Sequence, residues 1–234
     1  MILMLGILVG AVMGLVGAGG SVLAVPLLMA YTGWGLHQVA PIALLTIALS
    51  AALGASMAWR RSLVRYRAAG LIAMIGACTA PVGLIVAARV SSVVLTAIFA
   101  LILSFISIRL WRQATLKSLG AGMSGGESLQ PRICTLNEAT GRLVWTGPCA
   151  LCIAITGAVA GFLTGMLGVG GGFFIVPALN AATPLSIRST IGTSLMAIAL
   201  TSSGTVIAAL ASGYQLDWPL AVPFTGGAFI GVVA

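Results

Sequence analysis

Apolar residues run along this chain in long stretches broken by short polar punctuation. They fall at roughly 1–16, 18–32, 37–59, 67–88 and 91–110. After a polar connector at 111–143 come four more, at 144–167, 171–183, 187–211 and 215–234. A helix crossing a hydrocarbon core of ~30 Å needs about 20 such residues, and most of these stretches have the length. None alternates with a period of two over ten-residue segments, as a membrane barrel would. The pattern predicts an all-α polytopic membrane protein.

The pattern also repeats. A shift of 151 positions, the distance from Gly10 to Gly161, superimposes without gaps Gly14 on Gly165, Gly17 on Gly168, Gly19 on Gly170 and Gly20 on Gly171. Val25 then meets Val176, Pro26 meets Pro177, and two Ile-Ala-Leu triplets coincide at Ile47–Leu49 and Ile198–Leu200. The chain reads as a tandem duplication. Residues 1–110 form the first transmembrane repeat, 111–143 a connector, and 144–234 the second repeat. The last stretch stops at "FIGVVA" with no counterpart of 91–110, so the second repeat reads as truncated at its C-terminal end. Within the connector, Ile133 to Thr146 alternates around Asn-Glu-Ala-Thr-Gly, the pattern of a short β-hairpin.

Composition removes the soluble alternatives. Only 6% of residues are charged and the mean hydropathy is +1.17, against about a quarter charged in soluble domains. The net charge of +8 sits in short loops, which indicates membrane orientation and no nucleic-acid partner. Arg60, Arg61, Arg65 and Arg67 crowd one loop; Arg109, Arg112, Lys117, Arg132 and Arg142 mark the connector. Both are expected in the cytoplasm. The loop equivalent to Arg60–Arg67 in the second repeat has Asp217 and no Lys or Arg, and Arg188 stands near the equivalent of His37. The charge bias flips between repeats, which predicts inverted topology. Trp59, Trp111, Trp145 and Trp218 sit at stretch ends, as interfacial anchors do. The N-terminus lacks the basic region and cleavage site of a signal peptide. Four scattered cysteines do not make a disulfide framework, and Cys149-x-x-Cys152 lacks the context of a redox motif.

The glycines show two patterns. Gly6/Gly10/Gly14 and Gly157/Gly161/Gly165 have the four-residue spacing of helix-packing faces. The clusters Gly17–Gly20 and Gly168–Gly172 instead predict a broken helix or re-entrant hairpin in each repeat, with Pro26 and Pro177 as helix breakers in the following arm. Backbone left unpaired by a break survives in a membrane only where protein or a wet cavity satisfies it. Inverted repeats with such breaks are a recurrent transporter design.

At these residues the sequence resembles the sulfite exporter TauE/SafE family, also called the sulfonate uptake permease group. The carriers are the duplicated G-x-x-x-G-x-x-G-x-G-G…P-x-L signature at Gly10–Leu28 and Gly161–Leu179, with "IGTSL" at Ile191–Leu195 and "YQLDWPLA" at Tyr214–Ala221. The resemblance implies a multi-pass permease of the bacterial inner membrane for small sulfur anions such as sulfite or sulfoacetate. It departs from symmetry where Gly192-Thr193-Ser194-Leu195 meets Pro41-Ile42-Ala43-Leu44 in the first repeat.

Helix starts that follow glycine-rich breaks offer backbone N–H donors and a positive dipole end to an anion. The expected substrate-binding residues are therefore Gly17, Gly19, Gly20 and Ser21 in one repeat. Gly168, Gly170, Gly171, Gly172, Thr193 and Ser194 complete the set in the other. Replacing Gly171 by leucine is expected to abolish binding and leave insertion intact. Arg188 stands at the inner mouth, as an anion attractor or a snorkelling anchor. The three acidic residues, Glu127, Glu138 and Asp217, lie in loops or at stretch edges, so no intramembrane carboxylate relay is expected. His37 reads as an interfacial side chain, and Cys78 as a packing residue with a weaker alternative as a substrate contact. No cofactor, metal or catalytic cluster is expected; the partners are the lipid bilayer and a small anion, and a homo-oligomer is compatible with the sequence. The competing reading is a membrane scaffold or assembly factor that carries no solute.

Overall fold

The computed structural model describes residues 2–120, 134, 136–137, 142–143, 146–211, 213 and 217–233. Helix α1 spans Ile2–Val16, a 3-10 segment Gly17–Leu23, α2 Ala24–Thr32, α3 Leu36–Arg60, α4 Tyr66–Arg89 and α5 Ser92–Gly120. Two short strands follow, β1 at Leu136–Asn137 and β2 at Arg142–Leu143, paired antiparallel. Then come α6 at Gly147–Leu167, α7 at Gly172–Ala182, α8 at Ile187–Ala211 and α9 at Trp218–Val233. Among the described residues, four segments are long and apolar enough to cross a membrane: Gln38–Arg60, Tyr66–Arg89, Gly147–Leu167 and Ile187–Ala211. These segments make the described chain a helical, polytopic membrane protein. Helix α5 continues past the expected end of its apolar stretch, through Trp111 to Gly120.

Glycine contacts fix the running directions. Gly157 meets Ile72, Gly161 meets Gly76 and Gly165 meets Ala80, so α4 and α6 run parallel. Gly6 meets Gly227, Gly10 meets Ala228 and Gly14 meets Val232, so α1 and α9 also run parallel. Gly54 lies against Leu195 and Gly192 against Ala58, so α3 and α8 run antiparallel through the centre. Small residues are needed at the outer pairs because backbone touches backbone there. A Cβ on Gly161 would stand 2.2 Å from the Gly76 carbonyl oxygen.

These directions define two faces. One carries Arg60, Arg61, the start of α4, the start of α6, the end of α7 and Arg188 at the start of α8; it is the arginine face. The opposite face carries the starts of α3 and α5, Arg89 and Asp217. There Ser92 Oγ accepts the Leu36 N–H at 3.2 Å. On the arginine face, Cys134 and Cys149 form a disulfide, and the Cys134 N–H reaches the Ala182 carbonyl at 3.1 Å. This corrects the expectation that the cysteines make no disulfide: Cys134 is tied to the start of α6 and to the end of α7. Cys152 stays free, and Cys78 is free and exposed.

The bundle interior is apolar, with Leu28, Ile42, Ile47, Ile175, Leu179 and Phe224 fully buried. Most interior hydroxyls bond their own helix four residues back. Thr164 donates to Ala160 O at 2.7 Å, Thr201 to Ala197 O at 2.8 Å and Thr205 to Thr201 O at 2.8 Å. That local bond lets a polar side chain sit where no water reaches it.

Candidate functional site

Among the described residues, two places bring buried polar groups together with special backbone or an open cavity. The first is the α6–α7 turn. Helix α6 ends at Leu167 and α7 begins at Gly172. Between them Gly168, Gly170 and Gly171 hold φ of 72°, 76° and 63°, a region that residues with a Cβ enter at a cost of about 1–2 kcal/mol. The turn is buried at mid-bundle. A Cβ on Gly170 would meet Ile47, Ile198 and the Ser202 hydroxyl, the last at 3.2 Å. One on Gly171 would come within 2.8 Å of Ala160 O and of Thr164 Oγ1. Gly172 and Phe173 at the start of α7 are buried here, and the Gly171 carbonyl accepts the N–H groups of Phe174 and Ile175, both at 3.1 Å.

The equivalent segment of the first repeat takes another form. Gly17–Leu23 is a seven-residue 3-10 helix, longer than the three or four residues usual for that geometry. Gly20 is pressed on Met13, Ser21 is fully buried, and the segment packs on α7 and α8. So the segment that holds Gly17, Gly19, Gly20 and Ser21 packs against α7, the arm that follows Gly168–Gly171. Thr193 and Ser194 do not join them. Thr193 Oγ1 donates to Ser189 O at 2.7 Å and accepts the Arg65 N–H at 3.0 Å, near the arginine face. Ser194 Oγ donates to Ile191 O at 2.8 Å. Neither proline ends its helix. Pro26 is the third residue of α2, where its missing N–H would have no intrahelical partner, and α7 continues through Pro177 to Ala182.

The second place is a cavity of about 670 Å³ on the arginine face, between α1, α3, α8 and α9. Met13, Gly14, Ser50, Met57, Arg61 and Arg188 are among its lining residues. A 151-residue shift carries Gly14, Ala58, Ile191, Gly192 and Leu195 onto Gly165, Ala209, Ala40, Pro41 and Leu44, which line a space of about 20 Å³ on the opposite face. The two places are thus equivalent in the duplication but unlike in chemistry. The small one has no charged lining residue.

Among the described residues, buried side-chain atoms without a hydrogen-bond partner include Ser50 Oγ, Ser202 Oγ, Thr190 Oγ1 and Arg65 Nε. Each such hydroxyl costs about 1–3 kcal/mol. Ser202 lies beside the α6–α7 turn and Ser50 lines the cavity. Sequence reasoning missed both, although a signal was present. Ser50 and Thr201-Ser202 directly follow the duplicated Ile-Ala-Leu triplets. No described group of three or more His, Cys, Asp or Glu side chains could hold a metal ion.

Spanning helices, buried non-helical backbone at mid-bundle and an arginine-lined cavity define a membrane transporter class of architecture. Comparison with known proteins agrees. The chain belongs to the sulfite exporter TauE/SafE family, whose description matches residues 2–234. A "Probable membrane transporter protein" of Xylella fastidiosa (strain 9a5c) is 31% identical over 229 residues, covering 96% of this chain and 78% of the relative. The "Probable membrane transporter protein YunE" of Bacillus subtilis (strain 168) is 26% identical over 238 residues, covering 98% of this chain and 84% of the relative. No solved structure matches significantly.

Proposed function

We propose that this transporter is a permease for small sulfur-containing anions, sulfite or sulfonates such as sulfoacetate, built from two inverted repeats. The observation that carries the reading is the pair of helix crossings related by the duplication. Gly157, Gly161 and Gly165 pack on α4, and their counterparts Gly6, Gly10 and Gly14 pack on α9. Each glycine-bearing helix is clasped by a helix of the other repeat, α6 by α4 and α1 by α9, and α4 and α9 are themselves equivalent under the 151-residue shift. Helix α6 starts on the arginine face and α1 on the opposite one, so the two glycine-rich hairpins are re-entrant from opposite sides. Their tips are the helix breaks that hand an anion across the midplane.

At the tips, amides of Gly172 and Phe173 and of the Gly17–Ser21 segment are the donors for an oxyanion, with Ser202 supplying a hydroxyl. Backbone donors suit a substrate that must also leave, because they attract charge without fixing a counter-charge in the membrane. The arginine face is cytoplasmic by its charge bias. Stable disulfides are rare in that compartment, so on this orientation Cys134 and Cys149 are thiols in the cell that pair only under oxidation. A monovalent anion leaving an inside-negative cell gains about 2.3 kcal/mol per 100 mV, enough to drive export without a coupling ion. The protein acts as a carrier and not as an enzyme.

Flux of radiolabelled sulfite into proteoliposomes tests the reading, with sulfoacetate, thiosulfate, sulfate and chloride as competitors. Saturable uptake blocked by one or two of the sulfur anions is the expected result. Folded protein that gives no flux above empty liposomes, for sulfite or any competitor supplied as label, would return the weight to a scaffold.

A further inference from the structure

Two arginines from different repeats flank the 670 Å³ cavity, Arg61 just past the end of α3 and Arg188 at the start of α8. No carboxylate answers them among the described residues, whose one acidic side chain, Asp217, stands on the opposite face. A third arginine, Arg65, buries its Nε nearby without an acceptor. Deeper in the cavity wall, Ser50 is 2% exposed and its hydroxyl has no partner. Cations beside apolar walls focus a positive potential into a cleft. The volume lies within the ~300–1,000 Å³ of small-molecule sites.

We propose that this cavity is the anion-capture site on the arginine face, taking a small dianion that carries a sulfite or sulfonate group. The inference rests on the permease reading and gives it a point of entry. Arg61 and Arg188 each present a planar fork of donors matched to sulfonate, sulfite or carboxylate oxygens, and Ser50 donates its hydroxyl to the oxygen that goes deepest. Two guanidinium groups balance two negative charges, and cations are repelled. Gly54 and Gly192 keep the walls between them low. The equivalent place on the opposite face is lined by Leu36, Ala40, Pro41 and Leu44 and offers no such pair. Capture is one-sided. The sequence carries the same asymmetry, since the counterpart of Arg188 is His37 and that of Ser50 is Thr201, whose hydroxyl is held by Ala197 O.

The test reads charge selectivity inside the cavity and needs neither flux nor a known substrate. Met57 lines the cavity and is 44% exposed. A Met57→Cys variant, with Cys78, Cys134, Cys149 and Cys152 all replaced by alanine, is labelled in detergent with a sulfonate-bearing and a trimethylammonium-bearing methanethiosulfonate. Their rates are each normalised to a small soluble thiol. The sulfonate reagent is expected to react about tenfold faster, and the ratio to fall toward one in Arg61→Gln/Arg188→Gln. Arg89→Gln, on the opposite face, leaves the ratio unchanged. Sulfoacetate should slow labelling, and Ser50→Ala should weaken that protection about tenfold. Equal rates for the two reagents, or a preference that survives the double arginine substitution, would overturn the capture site. Selective labelling in a protein without flux would sink the permease reading and leave the site standing. Flux without selectivity would do the reverse.

Discussion

Replacing Gly161 by leucine leaves little folded, monodisperse protein. At this position α6 crosses α4 with backbone against backbone. Even the first side-chain carbon would lie 2.2 Å from Gly76 O and 2.4 Å from Gly76 Cα. No rotamer relieves a clash with main chain, so the helices must separate. Separation also breaks the bond from Thr79 Oγ1 to Ala158 O at 3.0 Å across the same crossing. Overpacking a tight interior costs about 1–3 kcal/mol and occasionally more, and a clash with backbone along a whole crossing belongs at the upper end. Size-exclusion profiles and thermal unfolding in detergent check it. The control is Gly70→Leu on the neighbouring helix, where nothing lies within 4 Å and the change is expected within about 0.5 kcal/mol. Equal behaviour of the two variants would mean that the crossing does not hold the bundle together.

The second large effect concerns the α6–α7 turn. Gly171→Ala is expected to lose about 3 kcal/mol of stability, from a left-handed residue acquiring a Cβ and from its collision with Ala160 O. The Cβ would sit 2.8 Å from that oxygen at φ 63°. Flux should fall below detection in the same variant, because the turn cannot keep its shape. The leucine variant, expected from sequence to lose binding alone, is therefore expected to lose fold as well. A melting curve and a flux assay on the alanine variant decide the matter. Normal values in both would show that the turn is neither strained nor functional.

Much of this architecture was legible in the chain. Glycines at four-residue spacing read as packing faces, and Gly157, Gly161 and Gly165 do pack, because spacing on a helix fixes which residues share a stripe. Which helix they meet was not legible. Spacing says nothing about the partner, and α4 and α9 carry their own small residues, Gly76 and Gly227, at positions again related by 151. The Cys134–Cys149 bond was hidden for a similar reason. It depends on how the connector returns to α6, a matter of tertiary path.

The candidate site was legible in part. The glycine clusters were found because three glycines at Gly17–Gly20 and four at Gly168–Gly172 interrupt apolar runs. Thr193 and Ser194 were grouped with them by family signature, whereas the fold spends their hydroxyls on Ser189 O and Ile191 O. Ser50 and Ser202 went unnoticed because a single serine in a membrane helix usually bonds its own backbone. Only the structure distinguishes the serine that does from the one that does not.

The central claim is that the two hairpins are inserted from opposite faces, with the arginine face in the cytoplasm. Single cysteines at two exposed positions test it most directly in a cysteine-free background. Gln38→Cys lies just after the first hairpin and Ser186→Cys just after the second. A membrane-impermeant maleimide added to intact spheroplasts is predicted to label Gln38→Cys at once and Ser186→Cys only after lysis. Labelling of both from the same side would contradict the account.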